Sequence, residues 1–309
     1  MATPTARLML LLAVMLGTSA ALAAQRTYDK SLAAPPGGQL TFDTVVGSVA
    51  VIGHDAPEVV VHGELQGPES FLNRIHISAG QTPPGVAISV TGTSAGGWLD
   101  WLHWLHGFSS GSSRVRFSIE VPRDYSVELR TTGGSVQVRD LNAAVRARTS
   151  GGSALVQNVA GTASLATSGG SIEVAHLTGS ANLSSSGGSE DVTDSVGDLD
   201  LDTSGGSVRV VNDDGKIHAE TSGGSARAQL QVNRGVSLQT SGGGITLLLP
   251  QDAHASIDAQ SDGGSIRFDF PLSTTRIDGD SHLAGTLVGG GPPIDLHSSG
   301  GSIRVAPDR

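Results

Sequence analysis

The sequence has no cysteine, only two lysines (Lys30 and Lys216), and few charges of either sign, 16% in all. Without cysteine no disulfide can brace it, so stability must come from backbone hydrogen bonds and packing. The chain carries too few charges to be held open by repulsion as a disordered polymer. Its net charge of −10 speaks against a nucleic-acid partner and against simple adsorption to anionic lipid, since both need a basic face. It has no Gly-x-x-x-x-Gly-Lys-Ser/Thr phosphate loop, and no Gly-x-Ser-x-Gly stands in a strand–turn–helix setting. After the first 24 residues no apolar run is long enough to cross a bilayer, which takes about 20 residues.

What the chain has is glycine: 43 of them, about twice the usual share of roughly 7%. They are periodic. Paired glycines begin at Gly133, Gly151, Gly169, Gly187, Gly205 and Gly223, 18 residues apart, each inside a variant of Thr-Ser-Gly-Gly-Ser. Looser copies follow at Gly242, Gly263 and Gly300, at intervals of 21 and 37 residues. The long insertion Pro271 to His297 is expected to form a longer coil or loop near the C-terminal end. A fixed period of this size means stacked units rather than one central core.

Within each unit the apolar residues alternate. One pair of inward columns runs Val136, Ala154, Ile172, Glu190, Val208, Ala226 and Val138, Val156, Val174, Val192, Val210, Ala228. A second pair runs Val145, Ala163, Ala181, Leu199, Ile217 and Ala147, Leu165, Leu183, Leu201, Ala219. A spacing of two is that of strands, not helices. The fold expected is all-β: a parallel β-solenoid, a single-stranded β-helix of right hand, with 18-residue coils. Glycines are expected where the turns need positive φ. Nine coils would make a rod of about 43 Å at a rise of about 4.8 Å. The register sets Asp198 beside Lys216, Asp200 beside His218 and Asp202 beside Glu220.

Residues 1–24 read as a signal peptide. Arg7 supplies a positive start, Leu8 to Leu16 an apolar core, and Ala21-Leu22-Ala23 a small-x-small cleavage pattern. No cysteine follows for lipid attachment. The protein is therefore expected to be exported, to the periplasm or to the cell surface or beyond, with no transmembrane span in the mature chain. Residues 25–130 form an irregular β region with a Trp-rich insertion at 94–113, and 131–309 the regular solenoid repeats. Within the irregular part, Val46-Gly47-Ser48-Val49-Ala50-Val51 looks like a degenerate copy of the repeat. Val115, Phe117, Ile119 and Val121 share one strand face.

Three features give the chain a family likeness. A strand ending in Val121-Pro122 is followed by the polar strand Ser126 to Leu129. The switch to Thr131-Thr132-Gly133-Gly134-Ser135-Val136-Gln137-Val138 is immediate. That Gly-Ser-hydrophobic-x-Val unit then recurs to the C-terminus. On these motifs, from Tyr28 to Val305, the chain resembles the bacterial putative-adhesin family of β-strand repeat proteins, a domain of unknown function. The resemblance implies a β-solenoid at the bacterial envelope, with no catalytic residues to carry over.

Candidate sites are few. Gly97 to Phe108 holds Trp98, Trp101 and Trp104, all three tryptophans of the chain, between Ser/Gly-rich flanks. It reads as a short helix capping the solenoid end, as a loop docking on a partner or on lipid headgroups, or as a sugar-stacking platform, with Phe108 part of the same surface. Asp100, His103 and His106 have ligand-like spacing, but nothing orients them and no metal is expected. An outward arginine column, Arg209, Arg227, Arg267 and Arg304, could bind an anionic glycan or simply be a soluble face. The calcium-binding Gly-Gly-x-Gly-x-Asp pattern is absent. Asp198, Asp200, Asp202, Asp213 and Asp214 form the densest acidic patch.

The function expected is a non-enzymatic envelope protein, adhesin-like, making weak multivalent contacts with glycan or envelope partners and needing no cofactor. The alternative is a polysaccharide lyase or hydrolase on the same scaffold, which needs carboxylates converging on one face.

Overall fold

Turns built on the Thr-Ser-Gly-Gly-Ser motif stack directly on one another, and their geometry explains the motif. Thr149 Oγ1 donates to the Gly134 carbonyl of the previous turn at 2.8 Å and accepts from the Gly152 amide of its own turn at 3.1 Å. The same two bonds recur through Thr167, Ser185, Thr203, Thr221 and Thr240. A buried hydroxyl thus satisfies two backbone groups that the turn would otherwise leave unpaired.

The glycine pair works differently from expectation. A Cβ at Gly152 would lie 2.1 Å from the Gly134 carbonyl oxygen, whereas one at Gly151 would meet nothing closer than 3.6 Å. The second glycine is required by close backbone approach, not by positive φ. Left-handed backbone occurs on the far side of each unit and mostly without glycine. Asp140, Asn158, His176, Asp194 and Asn212 all have φ between 54° and 60°, a region that Asn and Asp tolerate better than other side chains.

The structure is a computed structural model that describes residues 24–92, 113–272, 274–278 and 281–308. Two long sheets face each other across a thin core. The front sheet contains 13 described strands and the back sheet 14. Each repeat gives one strand to each, as with Val145–Thr149 at the back and Ala154–Ala160 at the front. Successive units pair in parallel and in register, Val138 with Val156 and Val156 with Val174. The expected columns are buried, from Val136 and Val138 to Ala226 and Ala228. The β-solenoid reading therefore holds.

Among the described residues eleven strands of each sheet run parallel, two levels more than the nine expected. The extra levels come from the irregular region. Gln39–Thr44 and Ser48–His54 make one, and Gly85–Gly92 with Arg114–Pro122 the other. Levels do not follow chain order at either end. The 39–54 level lies between the 85–122 level and the first regular repeat. At the other end the last strands, Pro293–Ser298 and Ile303–Pro307, lie between the 236–249 level and the 255–268 level. The hydroxyl ladder follows space rather than sequence there: Ser298 donates to Gly243 and Ser261 to Gly301. Antiparallel strands then close both ends. Ala24–Ala33, Glu58–Gly67 and Ile75–Thr82 cover one, and Thr274–Asp278 and His282–Leu287 the other. These edges have left the parallel pattern, which protects a solenoid from end-to-end addition. The long insertion is thus one antiparallel hairpin plus an inserted final coil.

Candidate functional site

The four arginines singled out by their spacing fall in one column on the outer face of the front sheet. The register reads Asp191, Arg209, Arg227, Thr246, Arg304, Arg267. Two details differ from a simple repeat column. Thr246 interrupts it, and Arg304 precedes Arg267 because the final coil is inserted one level early. Neighbouring levels are about 4.8 Å apart, so the stripe is a short ruler of positive charge.

Its ends are partly neutralised. Arg209 Nη1 is 3.6 Å from Asp191. Asp269 bridges two levels, accepting from Arg267 Nε at 3.0 Å and from Arg304 Nη2 at 3.2 Å. Those two guanidinium groups, Arg267 first, hold the Asp269 carboxyl below the ordinary aspartate range. Arg227 is exposed and has no acidic partner among the described residues. A groove of about 560 Å³ lies over this end, lined by Arg227, Thr246, Leu248, Arg267, Arg304 and Pro307 among others. The arrangement can hold an anion at Arg227 and Arg304, two levels apart, with Leu248 and Pro307 as an apolar floor.

Trp98, Trp101, Trp104 and Phe108 lie outside the described residues, as do Asp100, His103 and His106. Their segment joins Gly85–Gly92 to Arg114–Pro122.

The acidic patch does not converge. Asp200 and Asp202 point outward from the back sheet, and their register against His218 and Glu220 is as expected. Asp198 Oδ1 accepts from the Lys216 backbone amide at 3.1 Å rather than from its ammonium. Asp213 belongs to the front strand Val208–Asp214 and is fully buried, accepting from Ser195 Oγ at 2.6 Å. Asp214 pairs with Arg234 at 2.8 Å. No face therefore gathers these five carboxylates, and no cluster of three or more metal-ligating side chains occurs among the described residues.

Two polar features of the core were given no role by the sequence, which put Glu190 in an inward column and counted Asp213 in the acidic patch. Glu190 occupies an inward apolar column between Ile172 and Val208 and is fully buried. Neither of its carboxyl oxygens has a hydrogen-bond partner among the described residues. Burial, then the negative charges of Asp202 and Asp200, push its pKa up to about 8. Burial likewise pushes Asp213 to about 6. Glu190 stands out in its column as the one charged residue, and that was the available signal. For Asp213 the signal was its place under Leu141, Val159 and Leu177.

The family model described as Toastrack DUF4097 matches residues 82–306. The chain belongs to the Toastrack family. The match bears out a repeat family of unknown function, but it begins at residue 82 rather than at Tyr28, leaving the inserted first coil outside. No curated protein sequence matches the chain. Among solved structures, a putative adhesin from Bacteroides fragilis is 8% identical, with a TM-score of 0.44 over 92% of this chain and 97% of that one. A putative cell adhesion protein from Clostridium sporogenes is 10% identical, with a TM-score of 0.26 over 92% of this chain and 100% of that one. A putative lipid binding protein from Parabacteroides distasonis is 12% identical, with a TM-score of 0.35 over 92% and 97%. At these values the Toastrack chain shares no inference about function with them.

Proposed function

We propose that this Toastrack protein is an exported, non-enzymatic envelope protein whose front-sheet arginine stripe makes weak multivalent contacts with an anionic glycan. The observation that carries the reading is the column Arg209, Arg227, Arg304 and Arg267, with Arg227 unpaired among the described residues, on a chain whose net charge is −10. A rigid ladder presents guanidinium groups at fixed steps, and guanidinium suits planar carboxylate or sulfate groups. Each contact is worth little at an exposed site, so affinity depends on engaging several at once. Export rests on the apolar, small-residue-terminated segment at residues 1–24. The polysaccharide-enzyme alternative has less support: of the acidic patch, Asp213 is in the core and Asp214 pairs with Arg234, which leaves Asp198, Asp200 and Asp202 on the back sheet's outer face.

Retention on immobilised polygalacturonate, with neutral dextran as control, tests the reading. The expected result is polygalacturonate-selective retention that weakens with salt and falls about tenfold on Arg227→Ala plus Arg304→Ala. Equal retention on both matrices, or retention indifferent to the double substitution, overturns it.

A further inference from the structure

The outer face of the back sheet carries charges whose order along the solenoid is self-complementary. Two outward columns run along ten of the eleven parallel levels of that face, and Asp258 and Gln260 continue them on the eleventh. The first reads Ala87, Thr41, Glu128, Arg146, Ser164, Asn182, Asp200, His218, Ser237, Asp295. The second reads Ser89, Asp43, Arg130, Arg148, Ala166, Ser184, Asp202, Glu220, Gln239, His297. All three arginines lie on one side of the midpoint, together with Asp43 and Glu128, and the other four carboxylates, Asp200, Asp202, Glu220 and Asp295, lie on the other side. The middle four, Ser164, Ala166, Asn182 and Ser184, are small and uncharged.

We propose that this face is an isologous dimer interface, closed by a second copy of the chain. The two-fold axis lies along the strand direction, between Ala163–Thr167 and Ala181–Ser185. That operation reverses the stack and keeps each column on itself. It sets Arg146 against the second copy's Asp200, and Arg148 against its Asp202. One level further out, Arg130 meets Glu220 and Glu128 meets His218. Beyond these, Asp43 meets Gln239 and Ser89 meets His297. No two like charges face each other in either column. Sliding the second copy by one level, which moves the axis half a level onto Ala181–Ser185, destroys this match: Arg146 then faces His218, and Asp200 and Asp202 face Ser164 and Ala166. Such self-matching is the requirement of a closed two-fold contact.

Of the charges needed, Arg146, Arg148, Asp202 and Glu220 are exposed and form no ion pair among the described residues, whereas Arg130 already pairs with Glu128 at 2.5 Å and Asp200 accepts from Asn182 at 3.0 Å. The size is sufficient: ten levels at about 4.8 Å and five residues at about 3.3 Å give roughly 750 Å² per copy, or about 1,500 Å² in all, within the range of stable specific interfaces. The pairing leaves both arginine stripes facing outward on opposite sides, so it stands or falls independently of polyanion binding.

The test is light scattering of the full purified chain over a salt series. Expected is twice the chain's mass at low salt and high micromolar concentration, moving toward the monomer as salt screens the pairs. Arg146→Asp with Arg148→Asp should be monomeric, and so should Asp200→Arg with Asp202→Arg. An equimolar mixture of these two variants restores opposite charge at all four pairs and should recover the dimer. Ala166→Arg, next to the axis, should give a monomer without altering the existing charges. All these side chains are on the outer face, and an unchanged β signal by circular dichroism confirms each fold. A monomeric wild type, variants that stay dimeric, or a mixture that stays monomeric would each overturn the proposal.

Discussion

At the residue scale the two glycines of each turn are chemically identical and structurally unequal. A Cβ at Gly170 would sit 2.2 Å from the Gly152 carbonyl oxygen, while at Gly169 the nearest atom is 3.4 Å away. The obstacle at Gly170 is backbone inside a ladder that neighbours fix from both sides, so it cannot yield cheaply. Gly170→Ala is expected to cost on the order of 2–3 kcal/mol, and Gly169→Ala within about 0.5 kcal/mol of nothing. Chemical denaturation of the two variants decides this, and equal losses would contradict the stacking account. The threonine before each pair is constrained for the complementary reason. Its buried hydroxyl joins one turn to the next, and serine substitutes for it at Ser185, Ser261 and Ser298.

Among strands, Glu190–Val196 and Val208–Asp214 are exceptional, because together they place Glu190, Ser195 and Asp213 in the core. Both acids bind their proton more tightly folded than unfolded. Their contribution is full below the ordinary carboxylate range and is lost as pH rises, through about 6 for Asp213 and about 8 for Glu190. Stability should therefore fall between about pH 4.5 and 8, by on the order of 2–4 kcal/mol from Glu190. Glu190→Val should flatten that slope and raise stability at pH 8, read from thermal melts across the range. A wild-type slope of zero would refute the buried-acid reading. These two strands also mark how much the sequence could disclose. Apolar alternation located the strands, their inward faces and their register, because spacing fixes those directly. It placed the arginines in one column for the same reason. The same offset from the glycine pair puts Thr246 in that column. It could not show the exchange of Arg304 and Arg267, which depends on which levels meet, and pairing between distant segments leaves no local periodic trace. Asp213 was legible by the same rule as the strands, since its 18-residue spacing continues the column of Leu141, Val159, Leu177 and Ser195, while Asp214, its neighbour along the strand, points to the opposite face.

For the molecule as a whole, the decisive feature is that both ends are built out of order. Residues 293–307 supply the level shared by the 236–249 and 255–268 levels. Removing residues 292–309 should therefore unfold more than the segment removed. Hydrogen exchange is expected to lose protection across 255–268 while 131–221 keeps it. Full protection of 255–268 in the shortened chain would show that it can dock directly on 236–249. The same arrangement has a consequence in time. A repeat array can ordinarily be completed rung by rung as it leaves the ribosome, but here a later coil, residues 293–307, is the keystone of an earlier one. Until residues 293–307 are free of the exit tunnel, the preceding coil has nothing to lean on, and the cap at this end closes in a single event after them.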